Sequence, residues 1–393
     1  MKKLLLVFIS VFAVSTAFAQ KGKVTAASAF IDNGDLKAAK ERIEEAFQDE
    51  KSKDWPKTYI VAARLAAEEY KQSKNNEDIL KAADYYLKAI ELDQIGDEKG
   101  KGAGRFANEI KMSTTMFVPN LQNAGIEAFN AEDFSFSTQA FERVAQINGS
   151  EIFQTPGKPA IVDSVFIYYT GLSALRSNNW AKAEEYLLKS IDIKYGEGDA
   201  ILLLNDVYTS SGDSSKIPAN LKNGIEMFPE DDRIMMNLIN YYLNSGKNDE
   251  ALAYLNTAIE KDPENHSYFF VRGYLYESSQ DFEKAEAEYL KAIEIKPDYY
   301  EPLISLGVIY YNRGAELTRV AQDITEMKKY QETMNKSLEH FKQALPYVER
   351  ADEAKPNEEH VLETLKSLYY RLEMMDKYNE ASERLNKVKQ GGA

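Results

Sequence analysis

Glycines interleaved with lysines can wrap a phosphate, and the chain holds one such stretch, GDEKGKGAGRF from Gly96 to Phe106. A phosphate loop needs a Gly five residues ahead of its Gly-Lys pair and a Ser or Thr directly behind it. Ile95 stands in the first place and Gly102 in the second, so the stretch reads as a flexible connector. His266, His340 and His360 have no second His or Cys at ligand spacing, which leaves a metal without a binding set. The absence of cysteine excludes disulfides, thiolate ligands, a thiol nucleophile and a lipid-modified N-terminal Cys. No Ser-His-Asp context, nucleophile elbow or paired-carboxylate signature stands out from the many acids. The expectation is a protein that is not an enzyme and carries no cofactor and no metal.

The charge balance narrows the partners. Lys and Arg number 48 against 63 Asp and Glu, a net −15. Phosphate backbones and anionic lipid surfaces attract basic proteins, so neither nucleic acid nor a membrane surface is expected as a partner. Lys2 and Lys3 precede the apolar run Leu4 to Val14, and Ala17-Phe18-Ala19 supplies a small-x-small cleavage pattern. Residues 1–19 therefore read as a signal peptide cut between Ala19 and Gln20, its apolar run being too short to span a bilayer. The expected product is exported, either periplasmic or secreted and outer-membrane associated. After removal of the signal it has no lipid anchor and no membrane span.

The elements that must position any binding residue show in KAIEIKPDYYEPL, Lys291 to Leu303. A proline ends a helix but is tolerated in the first turn of the next, so Pro297 is a stop and Pro302 a start. This corner recurs. Pro229, Pro263 and Pro297 are equally spaced, Tyr208, Tyr242, Tyr276 and Tyr310 keep the same step, and so do Gly273 and Gly307.

A 34-residue period with Gly273, Tyr276, Ala285, Tyr289, Ala292 and Pro297 in register resembles the tetratricopeptide repeat family, of the type exported by Bacteroidota. The resemblance implies an all-α, right-handed helical-repeat solenoid of antiparallel helix pairs over residues 20–393, with about eight to nine repeats. The phased units are 164–197, 198–231, 232–265 and 266–299. A unit at 300–356 follows, with a helical insertion at about 317–341 that turns near Asp323 to Glu326, and then a capping unit at 357–390. Residues 390–393 are expected to fray. Gly273 and Ala285 would let paired helices approach closely, with most tyrosines serving as core.

The resemblance also assigns an inner face, formed by the fifth, ninth and twelfth places of each first helix. These are Tyr168, Leu172 and Leu175; Leu202, Asp206 and Thr209; Met236, Asn240 and Leu243; Phe270, Tyr274 and Glu277; and Ile304, Val308 and Tyr311. In one branch of the family Lys at the fifth place and Asn at the ninth grip a C-terminal carboxylate. Asn240 is the only Asn in a ninth place and Met236 stands in the fifth, so that clamp is absent. An apolar, aromatic groove suits a protein segment with apolar anchors, which implies a non-catalytic protein-interaction scaffold. The alternative from the same residues is a glycan-binding accessory protein of the cell envelope, using the aromatics as sugar platforms.

Overall fold

The computed structural model describes residues 22–96 and 100–391, which form helices and turns with no strand among them. The expected leader and its cleavage point at Ala19 and Gln20 lie outside the described residues. The chain divides into two compact units, one ending at Ile234 and the other starting at Met235. The first holds α1 over 22–32, α2 (Leu36–Phe47), α3 (Pro56–Ser73), α4 (Asn76–Ile95), α5 (Ala107–Asn130), α6 (Phe134–Asn148), α7 (Ser164–Arg176), α8 (Trp180–Asp192), α9 (Glu197–Ser211) and α10 (Ile217–Met227). The unit boundary falls in the first turn of α11 (Asp232–Asn244). The second unit continues with α12 (Asn248–Lys261), α13 (His266–Ser278), α14 (Phe282–Ile295), α15 (Tyr300–Ala321), α16 (Met327–Ala354), α17 (Glu359–Arg371) and α18 (Met375–Gly391). Helix α18 runs on through Gln390 and Gly391, where the sequence reading expects fraying.

The turn inside each helix pair follows from backbone chemistry. Asn178, Gly212, Gly246 and Gln280, each one repeat on from the last, all have positive φ, between 59° and 85°. One left-handed residue reverses the chain most cheaply as Gly, and Asn bears it better than most. After Asn178 and Gln280 comes a helix cap: the side chains of Asn179 and Asp281 accept from the backbone N–H groups of Lys182 and Lys284, both at 3.3 Å. Asp133 does the same for Phe136 at 3.1 Å behind the left-handed Glu132. Such caps each contribute about 1 kcal/mol and fix where the second helix begins.

Close packing within a pair runs through glycine. A Cβ on Gly125 would lie 2.7 Å from the Phe141 ring, on Gly171 2.8 Å from Leu187, and on Gly273 2.7 Å from Tyr289. In all three the large side chain follows its glycine at one fixed interval along the chain. The tight neighbour of Gly273 is thus Tyr289; Ala285 is fully buried in the same core. At Gly307 the corresponding partner is Val348, much further along, because extra chain is inserted between the two.

That extra length is a helical hairpin. Helix α15 has 22 residues and α16 has 28, against 13 and 14 in α13 and α14. The two join through residues 322–326. Gly314 lets them approach, with Phe341 filling the space, and Ser337 Oγ donates to the Gly314 carbonyl at 2.7 Å.

The glycine-rich connector is tied down at its described ends. Buried Asp93 accepts from Phe106 N at 2.9 Å through its carboxylate and from Gly104 N at 2.8 Å through its carbonyl. Gly96, Gly100, Gly102 and Gly104 all have positive φ, so the glycines serve this turn. The loop between α6 and α7 is likewise braced, its Gln154 amide accepting from Ile161 N at 2.6 Å and donating to Ile161 O at 3.0 Å.

Candidate protein-binding faces

In the first unit, the inner places of α7 carry Tyr168, Leu172 and Leu175, all half-buried. The Tyr168 ring meets Tyr169 and Tyr195 edge-on at 5.5 and 5.8 Å, and a Cβ on Gly196 would lie 2.6 Å from it, so this tyrosine closes the turn into α9. On α9, Leu202 is half-buried, and Asp206 and Thr209 are exposed. Loss of water on the side facing the neighbouring helices lifts the Asp206 carboxyl above the usual carboxylate range, with Arg176 pulling the other way.

In the second unit, Met236 and Leu243 on α11 are half-buried and Asn240 is exposed. Phe270 lies parallel to the buried Tyr289 ring at 5.9 Å and edge-on to Tyr299 at 5.4 Å. Glu277 accepts the Tyr289 hydroxyl at 2.5 Å. Both side chains are therefore engaged in packing their own helix pair. Tyr274 is not, and stands 54% exposed. Ile304 and Val308 on α15 are half-buried. Tyr311 reaches Ser367 on α17 through its hydroxyl at 2.8 Å, and the Arg371 guanidinium lies 5.8 Å from its ring.

Carrying the repeat register past the inserted hairpin places Glu363, Ser367 and Tyr370 at the equivalent inner places of α17. The sequence reading stopped at α15 and so missed Tyr370, 63% exposed, and its neighbour Arg371. The signal was available once the length of the insertion was subtracted.

The histidines are occupied separately. His266 meets Tyr299 edge-on at 4.8 Å, and burial holds its pKa below the usual value. His340 Nδ1 is 3.0 Å from Gln343 Oε1, and His360 Nε2 is 2.8 Å from the Tyr300 hydroxyl. Among the described residues no group of three or more His, Cys, Asp or Glu could hold a metal ion, and no helix is long and apolar enough to cross a membrane.

Comparison with known proteins gives a family match over residues 221–300, described as a tetratricopeptide repeat. No curated protein matches the chain. Among solved structures, a TPR repeats protein from Bacteroides fragilis is 21% identical, covering 64% of this chain and 98% of its own, with a TM-score of 0.33. The C-terminal part of a TPR repeat-containing protein from Cytophaga hutchinsonii is 12% identical, covering 68% and 94%, with a TM-score of 0.45. YrrB, described as a TPR protein with an unusual peptide-binding site, is 19% identical over 47% of this chain and 88% of its own, with a TM-score of 0.34. The family match spans α11, α12, α13 and α14, so residues 221–300 are a tetratricopeptide-repeat segment, with further helix pairs on either side of it in an all-helical chain.

Proposed function

We propose that this protein is an exported, non-catalytic scaffold that binds a segment of another protein on the inner places of its helix pairs. One observation carries the reading: fold-building side chains and surface-facing ones separate at neighbouring places of one helix. On α13, Phe270 and Glu277 hold the Tyr289 ring and hydroxyl, whereas Tyr274 offers more than half of its surface to solvent. A large aromatic that the fold does not need is a ready anchor for a partner.

The leader-like residues 1–19 support an exported location, periplasmic or at the cell surface, and N-terminal sequencing of the exported protein should begin at Gln20. Proximity labelling in the cell envelope, with the parent and a Tyr274→Ser variant side by side, tests the function. A set of proteins labelled by the parent and lost in the variant supports it. Identical sets would remove Tyr274 from the binding face. Exposed Tyr274 and Tyr370 are also what a sugar platform would use, and retention on a polysaccharide array that falls with Tyr274→Ser would favour the glycan reading.

A further inference from the structure

The α15–α16 hairpin leaves a cleft of 830 Å³ against α17 and the start of α18. Met334, Leu338, Phe341, Tyr370, Arg371 and Met375 line it, together with polar side chains such as Gln331 and Asn335. Its volume is in the upper part of the usual range for ligand clefts, about 300–1,000 Å³, with room for several side chains. Tyr370 and Met375 are 63% and 47% exposed, so large side chains face water here, although the Tyr370 ring also meets Tyr378 at 5.9 Å.

Arg371 distinguishes this cleft from a plain apolar patch. Its guanidinium lies 4.8 Å from the Phe341 ring and 5.8 Å from Tyr311, held by two aromatic rings. Among the described residues no carboxylate pairs with it, although acids outnumber bases 63 to 48 in the chain. Elsewhere in the same unit Arg313 pairs with Glu286 at 2.5 Å and Arg384 with Asp352 at 2.7 Å. Glu373 also lines the cleft but forms no ion pair with Arg371. A stacked guanidinium keeps its edge N–H groups directed outward, the geometry that takes a carboxylate through two parallel hydrogen bonds.

We propose that this cleft is a docking site for a protein segment that places one carboxylate among large apolar side chains, the acid meeting Arg371 and the apolar groups covering Met334, Leu338 and Tyr370. The site is separate from the α13 face around Tyr274. It rests on the scaffold reading for the premise that the ligand is a protein segment, and it includes one inner place, Tyr370 of α17. Because Arg371 is already ringed by aromatic surface, an acid there is bound with little water left between the charges, which strengthens the contact over one on the open surface.

Phage-displayed random dodecapeptides, panned on the full chain, test the proposal. The expected winners combine Asp or Glu with Leu, Phe or Met within a few residues. Synthetic copies with Asn or Gln in place of the acid should bind about tenfold more weakly, the loss of one charge-assisted hydrogen-bond pair. Arg371→Gln should erase that difference, and Met334→Glu, which brings a charge of the same sign as the peptide's acid into the cleft, should weaken the acidic peptides as well. Tyr274→Ser should leave them unchanged. Winners without acids, winners indifferent to Arg371→Gln and Met334→Glu, or no enrichment at all would overturn the proposal. Peptides lost with Tyr274→Ser alone would overturn it while leaving the scaffold reading in place.

Discussion

The Tyr208 hydroxyl donates to Glu184 Oε1 at 3.1 Å, joining α9 to α8, and Lys216 lies on the same carboxylate oxygen at 2.8 Å with its ammonium 5.0 Å from the Tyr208 ring. The same three-part contact recurs. Tyr310 donates to Glu286, which also holds Arg313 at 2.5 Å, and Arg313 lies 5.5 Å from the Tyr310 ring. Tyr369 donates to Glu349 at 2.9 Å, with Lys377 on the same oxygen at 2.7 Å. Tyr186 donates to Glu142 at 3.2 Å, with Lys182 at 2.5 Å. Each unit thus uses the same device twice. A ring, an acid and a base satisfy one another across a helix contact, so the polar end of a buried tyrosine costs little.

Tyr310→Phe removes only the hydroxyl and should cost about 1 kcal/mol, the ordinary worth of such a bond when the partner stays half-solvated. Glu286→Ala should cost more, since it strands both Tyr310 and Arg313. In a double-mutant cycle followed by urea unfolding, the pair should show a coupling of about 0.5–1.5 kcal/mol. Strict additivity would mean that the contact is not formed in solution.

Alkaline stability follows from the same contacts. Burial, and next to it the charge of Glu184, pushes the Tyr208 hydroxyl up from its ordinary value of 10.0 to about 12, with Lys216 opposing. Between these two values the folded protein keeps a proton that the unfolded chain has lost. Its stabilising effect is therefore full below pH 10 and disappears as pH rises toward about 12. Melting temperature should fall over that window, and Tyr208→Phe should make the fall shallower. An unchanged slope would show that this hydroxyl is not buried as described.

Gly273→Ala separates helix propensity from packing. Alanine is the better helix former by about 1 kcal/mol. Its Cβ, however, would sit 2.7 Å from the Tyr289 ring, which is fully buried and stacked on Phe270, so the ring has nowhere to go. Overpacking of about 1–3 kcal/mol should outweigh the gain, and the melting temperature should drop. A higher melting temperature would place Tyr289 elsewhere.

How far the sequence carried depended on whether a feature repeats. Helix corners, the Gly273 register and the hairpin turn were legible because prolines, glycines and apolar spacing state them locally. The partner of Gly273 was harder, since Ala285 and Tyr289 lie one turn apart on the same face of α14 and only the facing geometry selects the ring. Arg371 was hidden by the extra residues of the hairpin, which break the count. Glu184 and Glu286 could not be singled out among 63 acids until the tyrosines they hold had been placed. The division at Ile234 and Met235 leaves no mark in the period, as Tyr208 and Tyr242 keep their spacing across it.

Phe270 and Tyr274 looked interchangeable as groove anchors, but the structure packs the first into its helix pair and leaves the second exposed. Phe270 is half-buried between Tyr289 and Tyr299, so Phe270→Ser opens a hole beside the fully buried Tyr289 and should cost about 3 kcal/mol or more. Tyr274 lies one turn further along α13 and is 54% exposed. Tyr274→Ser should leave the melting curve within a degree or two of the parent, because exposed substitutions away from packing contacts change stability by about 0.5 kcal/mol or less. An anchor lost from the centre of an interface weakens binding by about 2 kcal/mol, more than tenfold. The two variants should therefore fail differently, Phe270→Ser in thermal unfolding and Tyr274→Ser in partner recovery at unchanged fold. If Phe270→Ser melts like the parent, the ring stack on Tyr289 is not formed. If Tyr274→Ser recovers the same partners at the same yield, the binding face lies elsewhere on the chain.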